Sequence, residues 1–503
     1  MFQINNMPKQ IYNEFLGGLS FYDKNAPTNT YYEGREIDPH RGLGYLAPGW
    51  ATTTIAKSND NPVIVNDLIV DILVDHTTAQ DCYFLDGSRL YHMTNYLGDT
   101  WDTNFDGSNN AYVEITGATR GESLFIYPTK IGGAAAANKL FYLYQDDFGM
   151  YDLTSAFDHD WGSTVPTGKA ALQDAPHPTI EWQSFRWIGN GQYLAKFDGQ
   201  TGDNGTIEPT KLNLGQGWEI TTLFPTRNYI GICAWRKNIA GSTYRTESAI
   251  FFYDGTSTDY DYSIPIAENK ILGAYNHNGV ILLWMHGRDI AVTLAYLIEN
   301  GTKKIRKLKT PIAGTVTPFV NVYKNAIDNF GNRVIFGSEY LIWSYGAEED
   351  GQPNAITIPW GFAGATNDVI GAVATVSHNR VFASWSDLTN TVHYLSKINT
   401  GNSTRATYRG NYTDFGQKIR INYVKFYCKP LVASDSVTVA LDVDYGTAKS
   451  LGTLTYTADG AATSKRFNKY ITCHSFRPVI SWTAGGVAFS KIVVDYDFIG
   501  DLN

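Results

Sequence analysis

The feature that most constrains this chain is a local figure that keeps returning: an alternating apolar run, a tight polar turn, and a second alternating run. It is written as CYFLDGSRLYHM (82–93), KLFYLYQDDFGMYDL (139–153), FRWIGNGQYLAKFDG (185–199), NHNGVILLWMHGRDIAV (276–292), NFGNRVIFGSEYLIWSYG (329–346) and SHNRVFASWSDLTNTVHYLSKI (377–398). YIGICAWR (229–236) and AIFFYDGTSTDYDY (249–262) are further candidates. A hairpin with an apolar face cannot bury that face alone, so the copies must pack on one another. Their interval of about 40–55 residues is that of a four-stranded propeller blade. Over residues 51–405 it predicts an all-β propeller of about seven blades, with six to eight allowed. Two stacked sandwiches space their strands similarly. The unbroken run of copies favours the ring.

Composition agrees where it bears on this. Aromatic residues are 14% of the chain and Gly numbers 47, which suits strands joined by tight turns. A ring must be closed, and a strand from the N-terminal side does this in many propellers; GYLAPGWATTTIAKS (44–58) is placed for that role. Before it, residues 1–50 hold Asn, Pro, Gly and Tyr without a period and read as an extended arm. After the blades, NTGNSTRATYRGN (399–411) has no apolar period and reads as a domain junction. Residues 411–503 then carry five or more alternating strands, strictest in SVTVALDVDY, and predict a small C-terminal β-sandwich or jelly-roll domain that folds by itself.

Charge excludes some functions. The net charge is −9, and residues 411–503 hold 10 basic and 8 acidic side chains, so the acidity lies in the residues before them. Such a surface does not grip nucleic acid sequence-specifically or dock on anionic membranes. The most apolar stretch, Val280 to Ile298, contains His286, Arg288 and Asp289 and is not a membrane span. The N-terminus shows no secretory pattern. Four scattered cysteines, Cys82, Cys233, Cys428 and Cys473, read as buried thiols, although Cys428 and Cys473 lie close enough in sequence to pair within the last domain.

Three local features carry candidate chemistry. Asp102, Asn104, Asp106 and Gly107 match the first half of a Ca²⁺ loop, but Val113 stands where the loop needs its bidentate Glu, and the same residues make an ordinary turn. Lys303, Lys304, Arg306, Lys307 and Lys309 form a basic patch that suits either an acidic partner or a solvated edge strand. Asp158, His159 and Asp160 are the best acid–base trio, and equally a polar loop before Trp161. No nucleophile elbow, phosphate loop or zinc signature is present, so the chain is expected to be non-enzymatic.

Residues 16–50 read LGGLSFYDKNAPTNTYYEGREIDPHRGLGYLAPGW. Gly17 and Gly18, an aromatic extension, Arg35-x-Ile37-Asp38, and Gly44-x-Leu46-x-Pro48-Gly49 resemble the opening of tailed-phage virion proteins built as β-propellers, of the packaged-DNA stabilisation and tail hub or nozzle type. The resemblance implies a structural virion protein, assembled in the host cytoplasm, that joins copies of itself and other tail proteins in a symmetric ring around or below the DNA exit channel at a head–tail junction. A receptor- or glycan-binding virion module is the alternative, and a polysaccharide-active propeller a further one. The arm composition adds an expectation: Phe15, Leu19, Phe21, Tyr31, Tyr32, Arg35 and Asp38 anchor the arm on a neighbouring subunit.

Overall fold

The computed structural model describes residues 8–13, 31–39, 46–58, 65–76, 80–168, 171–236, 247–267, 270–286, 292–298, 305–307, 323–347, 354–362, 368–377, 380–446 and 448–499. Among these, seven successive antiparallel sheets of four to six strands make the blades of a propeller. Blade 1 runs from Asp71–Val74 to Tyr112–Glu114, blade 2 from Gly121–Thr129 to Phe157–Asp158, and blade 3 from Thr179–Trp182 to Thr206–Asn213. Blade 4 runs from Trp218–Pro225 to Tyr262–Ile266 and blade 5 from Lys270–His277 to Ile305–Lys307. Blade 6 begins at Ile327–Phe330 and blade 7 at Val369–Ser377. The returning figure of the sequence is mostly the central hairpin of a blade. In blade 3, for example, Phe185–Asn190 pairs with Tyr193–Asp198.

The reason the hairpins read so clearly is that each blade is covered on both faces by its neighbours, so both faces of its central strands are apolar. Separate buried clusters fill the seams. Tyr142 and Leu85 lie between blades 1 and 2, Phe141 and Phe197 between 2 and 3, and Trp187 and Ile232 between 3 and 4. Cys233 and Leu283 lie between blades 4 and 5, Ile335 and Phe382's neighbour Val381 between 6 and 7, and Phe84 and Phe382 between 7 and 1. The ring is therefore closed. A buried hydroxyl adds to the last seam, where Ser384 Oγ donates to the Ile69 carbonyl at 2.6 Å.

Closure uses the N-terminal side, as the sequence predicts. Trp50–Lys57 pairs with Val392–Asn402 as the outer strand of blade 7. Trp50 also stacks on Trp360 of blade 6, with ring centroids 6.1 Å apart and nearly parallel. One step earlier, Ile37–Asp38 pairs with blade 6 at Ile358, and Ala47–Pro48 pairs with Ile37–Asp38.

The C-terminal residues form one continuous eight-stranded sheet. Its long strand Ser464–Ala484 pairs with Thr413–Cys428 over its first half and with Ser436–Val443 over its second. Trp482 and Phe489, on either side of the turn after Ala484, lie 5.9 Å apart, centroid to centroid, in the sheet's apolar core. Two of the eight strands come from the arm: Lys9–Tyr12 pairs with Phe489–Phe498, and Glu33–Arg35 pairs with Thr407–Arg409. The apolar core of this sheet is continuous, through Tyr31, Ile37, Leu46 and Ile358, with the seam between blades 5 and 6. Division at residues 405–411 thus separates two bodies in sequence that share one core in space.

Candidate functional site

Two places gather polar side chains from distant parts of the chain: the joint formed by residues 31–39 and 46–49, and a pocket on the propeller axis.

The joint begins with a conformational demand. Glu36 has φ 52° and its side chain is fully buried. Its carboxylate accepts from the Ser403 hydroxyl and from Arg405 Nε at 3.3 Å, and lies 3.7 Å from Arg35 Nε. Two residues on, Asp38 receives both terminal nitrogens of Arg333 at 3.1 Å each, a bidentate pair with both side chains buried. On the other side, Glu33 accepts from Arg409 at 3.0 Å. Asp442 accepts from Arg477 at 2.8 Å, and that guanidinium lies over Tyr32 at 4.1 Å and Tyr412 at 4.4 Å. Backbone contacts close the passage. Leu46 and Phe489 exchange two hydrogen bonds of 2.9 Å, and Gly49 sits so close to blade 6 that a Cβ there would lie 1.7 Å from the Pro359 carbonyl oxygen.

These positions are where the resemblance to virion propellers fell. Among the residues expected to anchor on a neighbour, Tyr31 and Asp38 are buried in this chain, and Tyr32 and Arg35 stack within it, Arg35 4.8 Å over the Tyr340 ring. Tyr31 and Asp38 are internal anchors, because a ring or carboxylate already desolvated by its own chain has no face left for another, while Tyr32 and Arg35 stay partly exposed. Phe15, Leu19 and Phe21 lie outside the described residues.

The axial pocket encloses about 350 Å³. Its walls come from the start of the innermost strands: Val70 of blade 1, Arg120, Gly121 and Glu122 of blade 2, Pro176 before blade 3, Thr221 of blade 4, Lys270 and Leu272 of blade 5, and Tyr323 and Lys324 before blade 6. Inner strands converge on an axis, so side chains distant in sequence meet there. Glu122 is the buried centre. Arg120 Nε donates to it at 2.6 Å, Lys324 Nζ at 2.7 Å and the His177 amide at 3.3 Å. Burial pushes the Glu122 carboxyl up, but Lys324, then His177 and Arg120, outweigh this and hold it below its ordinary value. Asn325 spans the axis, its amide donating to the carbonyls of Val70 and Glu122 at 2.9 Å each. Beside it, Asp71 accepts from the Leu124 amide of the next blade at 2.6 Å, and burial raises its carboxyl to about 6. Asp328 repeats the device, accepting from the Thr375 amide of blade 7 at 2.6 Å.

The other expected sites disperse. Asp106 accepts from the Ser108 and Asn110 amides at 2.6 and 3.0 Å, Asn104 from the Asn109 amide at 3.3 Å, and Asp102 from His92 Nδ1 at 3.0 Å. Their oxygens are turned to the loop's own donors and to a neighbouring ring, and among the described residues no group of three His, Cys, Asp or Glu is placed to hold a metal. His159 Nδ1 lies 2.8 Å from the Tyr142 hydroxyl, and burial lowers its basicity. Tyr144 ties the same loop by donating to the His159 carbonyl at 2.8 Å. Arg306 and Lys307 fall on Ile305–Lys307, the outer strand of blade 5, while Lys303, Lys304 and Lys309 lie outside the described residues. All four cysteines are buried free thiols.

Missed by sequence reasoning are Glu33, Glu36, Arg333, Arg405, Arg409, Asp442 and Arg477 at the joint, and Arg120, Glu122, Lys270 and Lys324 on the axis. One signal was there to read. Arg333 opens one apolar strand, in NRVIFG, and Arg477 interrupts another, in SFRPVISW, and a buried cation requires an acid.

No family model and no curated protein matches the sequence. Two solved structures share the general outline. The WD40 domain of Neurospora crassa Pan2 is 8% identical with a TM-score of 0.42, over 70% of this chain and 98% of that one. The computationally designed Ika8 protein is 8% identical with a TM-score of 0.37, over 71% of this chain and 96% of that one. The propeller rests on the strand pairing itself. Among the described residues no helix is long and apolar enough to cross a membrane.

Proposed function

We propose that this chain is a non-enzymatic structural component of a tailed-phage virion, a repeated subunit of a symmetric ring around or below the DNA exit channel, assembled in the host cytoplasm. The observation that supports this reading most is the placement of residues 31–39 and 46–49. Arg35, Ile37, Asp38, Leu46, Pro48 and Gly49, on which the resemblance to virion propellers rests, are the positions that bind the propeller and the C-terminal sheet into one core. A building block that bears load between neighbours needs such stiffness. Because Tyr31 and Asp38 are spent inside the chain, subunit contacts fall to surfaces such as the C-terminal sheet, where Tyr470 is 80% exposed, and the loop before Ser436–Val443, where Val432 is 62% exposed. Particle imaging tests the reading: the chain should occupy a ring of repeated copies on the tail axis. A single copy per particle, or a protein missing from purified particles, contradicts it.

A second reading, a receptor- or glycan-binding virion module, is favoured by the axial pocket, whose concave apolar wall with a few convergent polar groups is what small ligands require. A polysaccharide-active propeller would need two carboxylates flanking one bond. The carboxylate on the described pocket wall, Glu122, is ion-paired with Lys324 and Arg120.

A further inference from the structure

Across Lys9–Tyr12, Phe489–Phe498, Thr413–Cys428 and Ser464–Ala484, successive side chains of the C-terminal sheet alternate between the apolar core and an outer face. By register, one row of that outer face reads Ile11, Val493, Lys425, Arg466, with Lys491 and Tyr427 in the row on one side and Lys9, Asp495 and Tyr423 in the row on the other. The ammonium groups of Lys425 and Lys491 lie 4.5 and 4.6 Å from the Tyr427 ring centroid, and the Arg466 guanidinium lies 3.7 Å over Tyr423. Arg466 Nε also donates to the Asn468 side chain at 2.8 Å. These partners are neutral, so they fix the three cations in place and leave their charge uncancelled. Among the described residues none of the three is ion-paired with an acid. Asp495 is 2% exposed and is taken up by Asn422 at 3.1 Å. A bulge opposite Asn422 leaves Lys469 exposed and Tyr470 80% exposed beside these rows.

One end of the propeller carries the opposite charge. The connections from third to fourth strand in blades 1 to 4 all fall at that end, by strand order, and each holds an Asp that accepts from the backbone amide two residues on. Asp106, Asp152, Asp198 and Asp254 do so at 2.6, 2.8, 2.9 and 2.8 Å. Such amides keep a carboxylate ionised; those of Ser257 and Thr256 bring the Asp254 carboxyl down to about 2. Among the described residues none of the four carboxylates is ion-paired, and Lys139 reaches the carbonyl of Asp152, at 3.3 Å, not its carboxylate. We propose that the outer face of the C-terminal sheet docks on this acidic end of the propeller in a second copy of the chain. Charge chooses the occupant: cations without acids on one surface meet carboxylates without cations on the other. A nucleic acid is disfavoured, because the Tyr423 and Tyr427 rings that could stack on bases are already covered by cations and the propeller's acids repel a polyanion. The contact joins two different surfaces, so its repetition closes into a ring where the rotation permits. The inference rests on the repeated-subunit reading and names the surfaces that meet.

Sedimentation velocity of the full chain tests it. In low salt the chain should self-associate, and added salt should weaken the association. Lys425→Gln with Lys491→Gln should weaken it about tenfold, and so should Asp198→Asn with Asp254→Asn, which keeps an acceptor for each turn, both without lowering the melting temperature. Each double variant keeps the surface that the other lacks, so the two mixed together should form a one-to-one pair that grows no further. A chain that stays monomeric at its highest soluble concentration, association unchanged in either folded double variant, or a mixture that does not pair would each overturn the proposal. Short duplex DNA bound more tightly than the chain binds itself would do the same. Because the isolated chain is measured, such a failure leaves a ring built through other surfaces to be seen in the particle, and a particle without the ring leaves the measured contact standing.

Discussion

The seams between blades are held by apolar packing, whereas the joint between the propeller and the C-terminal sheet adds ion pairs to a shared apolar core. At the seam of blades 2 and 3, Phe125, Phe141, Phe148, Trp161 and Phe197 pack ring on ring, with Phe141 and Trp161 5.1 Å apart. At the joint, Asp38–Arg333, Glu36–Arg405, Glu33–Arg409 and Asp442–Arg477 do the holding, with Tyr31 and Leu46 between them. Apolar seams are graded, since each methylene contributes its own share and the loss of one leaves the rest. Ion pairs buried on both sides, here Asp38–Arg333 and Asp442–Arg477, are not. Removing one partner strands a desolvated charge, so the penalty exceeds what the pair contributed. A propeller can drift in sequence along its seams, while the joint tolerates little.

Substitutions can break or sharpen that contrast. The largest effect is expected from Asp38→Ala, which leaves Arg333 buried without its acid and should cost about 3–5 kcal/mol in chemical denaturation. Adding Arg333→Met to it should recover part of the loss, and a double variant as unstable as the sum of the singles would show that the pair does not act as a unit. Next is Gly49→Ala, where the new Cβ would lie 1.7 Å from the Pro359 carbonyl oxygen, so the passage must shift, at about 1–3 kcal/mol. In the seams Ile232→Val should cost only about 0.5–1.5 kcal/mol. Smallest is Arg236→Ala at the exposed pair with Glu247, about 0.5 kcal/mol or less. A seam variant more damaging than Asp38→Ala would reverse the comparison.

The axis adds a pH dependence with a definite sign. Burial first, against the Leu124 amide and Lys324, raises the Asp71 carboxyl from its ordinary 3.8 to about 6. The folded state therefore prefers the protonated acid, and ionised Asp71 weakens folding above pH 6. This contribution makes stability rise as pH falls through about 6 and level off near the unfolded value of about 4. Glu122 is shifted the other way, so its contribution holds above its unfolded value and is lost in stronger acid. Carboxyl chemical shifts followed by NMR should place one buried Asp near pH 6, and its absence would show that Asp71 is solvated.

The central hairpins were legible in the sequence because a blade buries both faces. CYFLDGSRLYHM and FRWIGNGQYLAKFDG contain enough apolar residues on both sides of the turn to declare themselves. Trp50–Lys57 was legible because ring closure needs a strand from elsewhere. The edge strands Lys9–Tyr12 and Glu33–Arg35 were not, since each is four residues or fewer and has only one paired edge. Their partners, such as Asp495 for Lys9 and Arg409 for Glu33, lie in the last fifth of the chain, and no local pattern reports that distance. The same reason hid the axial pocket. Arg120, Lys270 and Lys324 share no motif, and only the convergence of inner strands brings them together. The Asp102–Asp106 loop reads two ways from sequence alone, because side-chain oxygens that serve a cation and those that serve backbone amides share the same spacing.

Residues 31–39 and 46–49 make one unit of the propeller and the C-terminal sheet, and differential scanning calorimetry of the full chain beside Asp38→Ala tests this most directly. The intact protein should unfold in one transition whose calorimetric and van't Hoff enthalpies agree, and the variant should resolve into two. Two separate transitions in the intact protein would contradict the account.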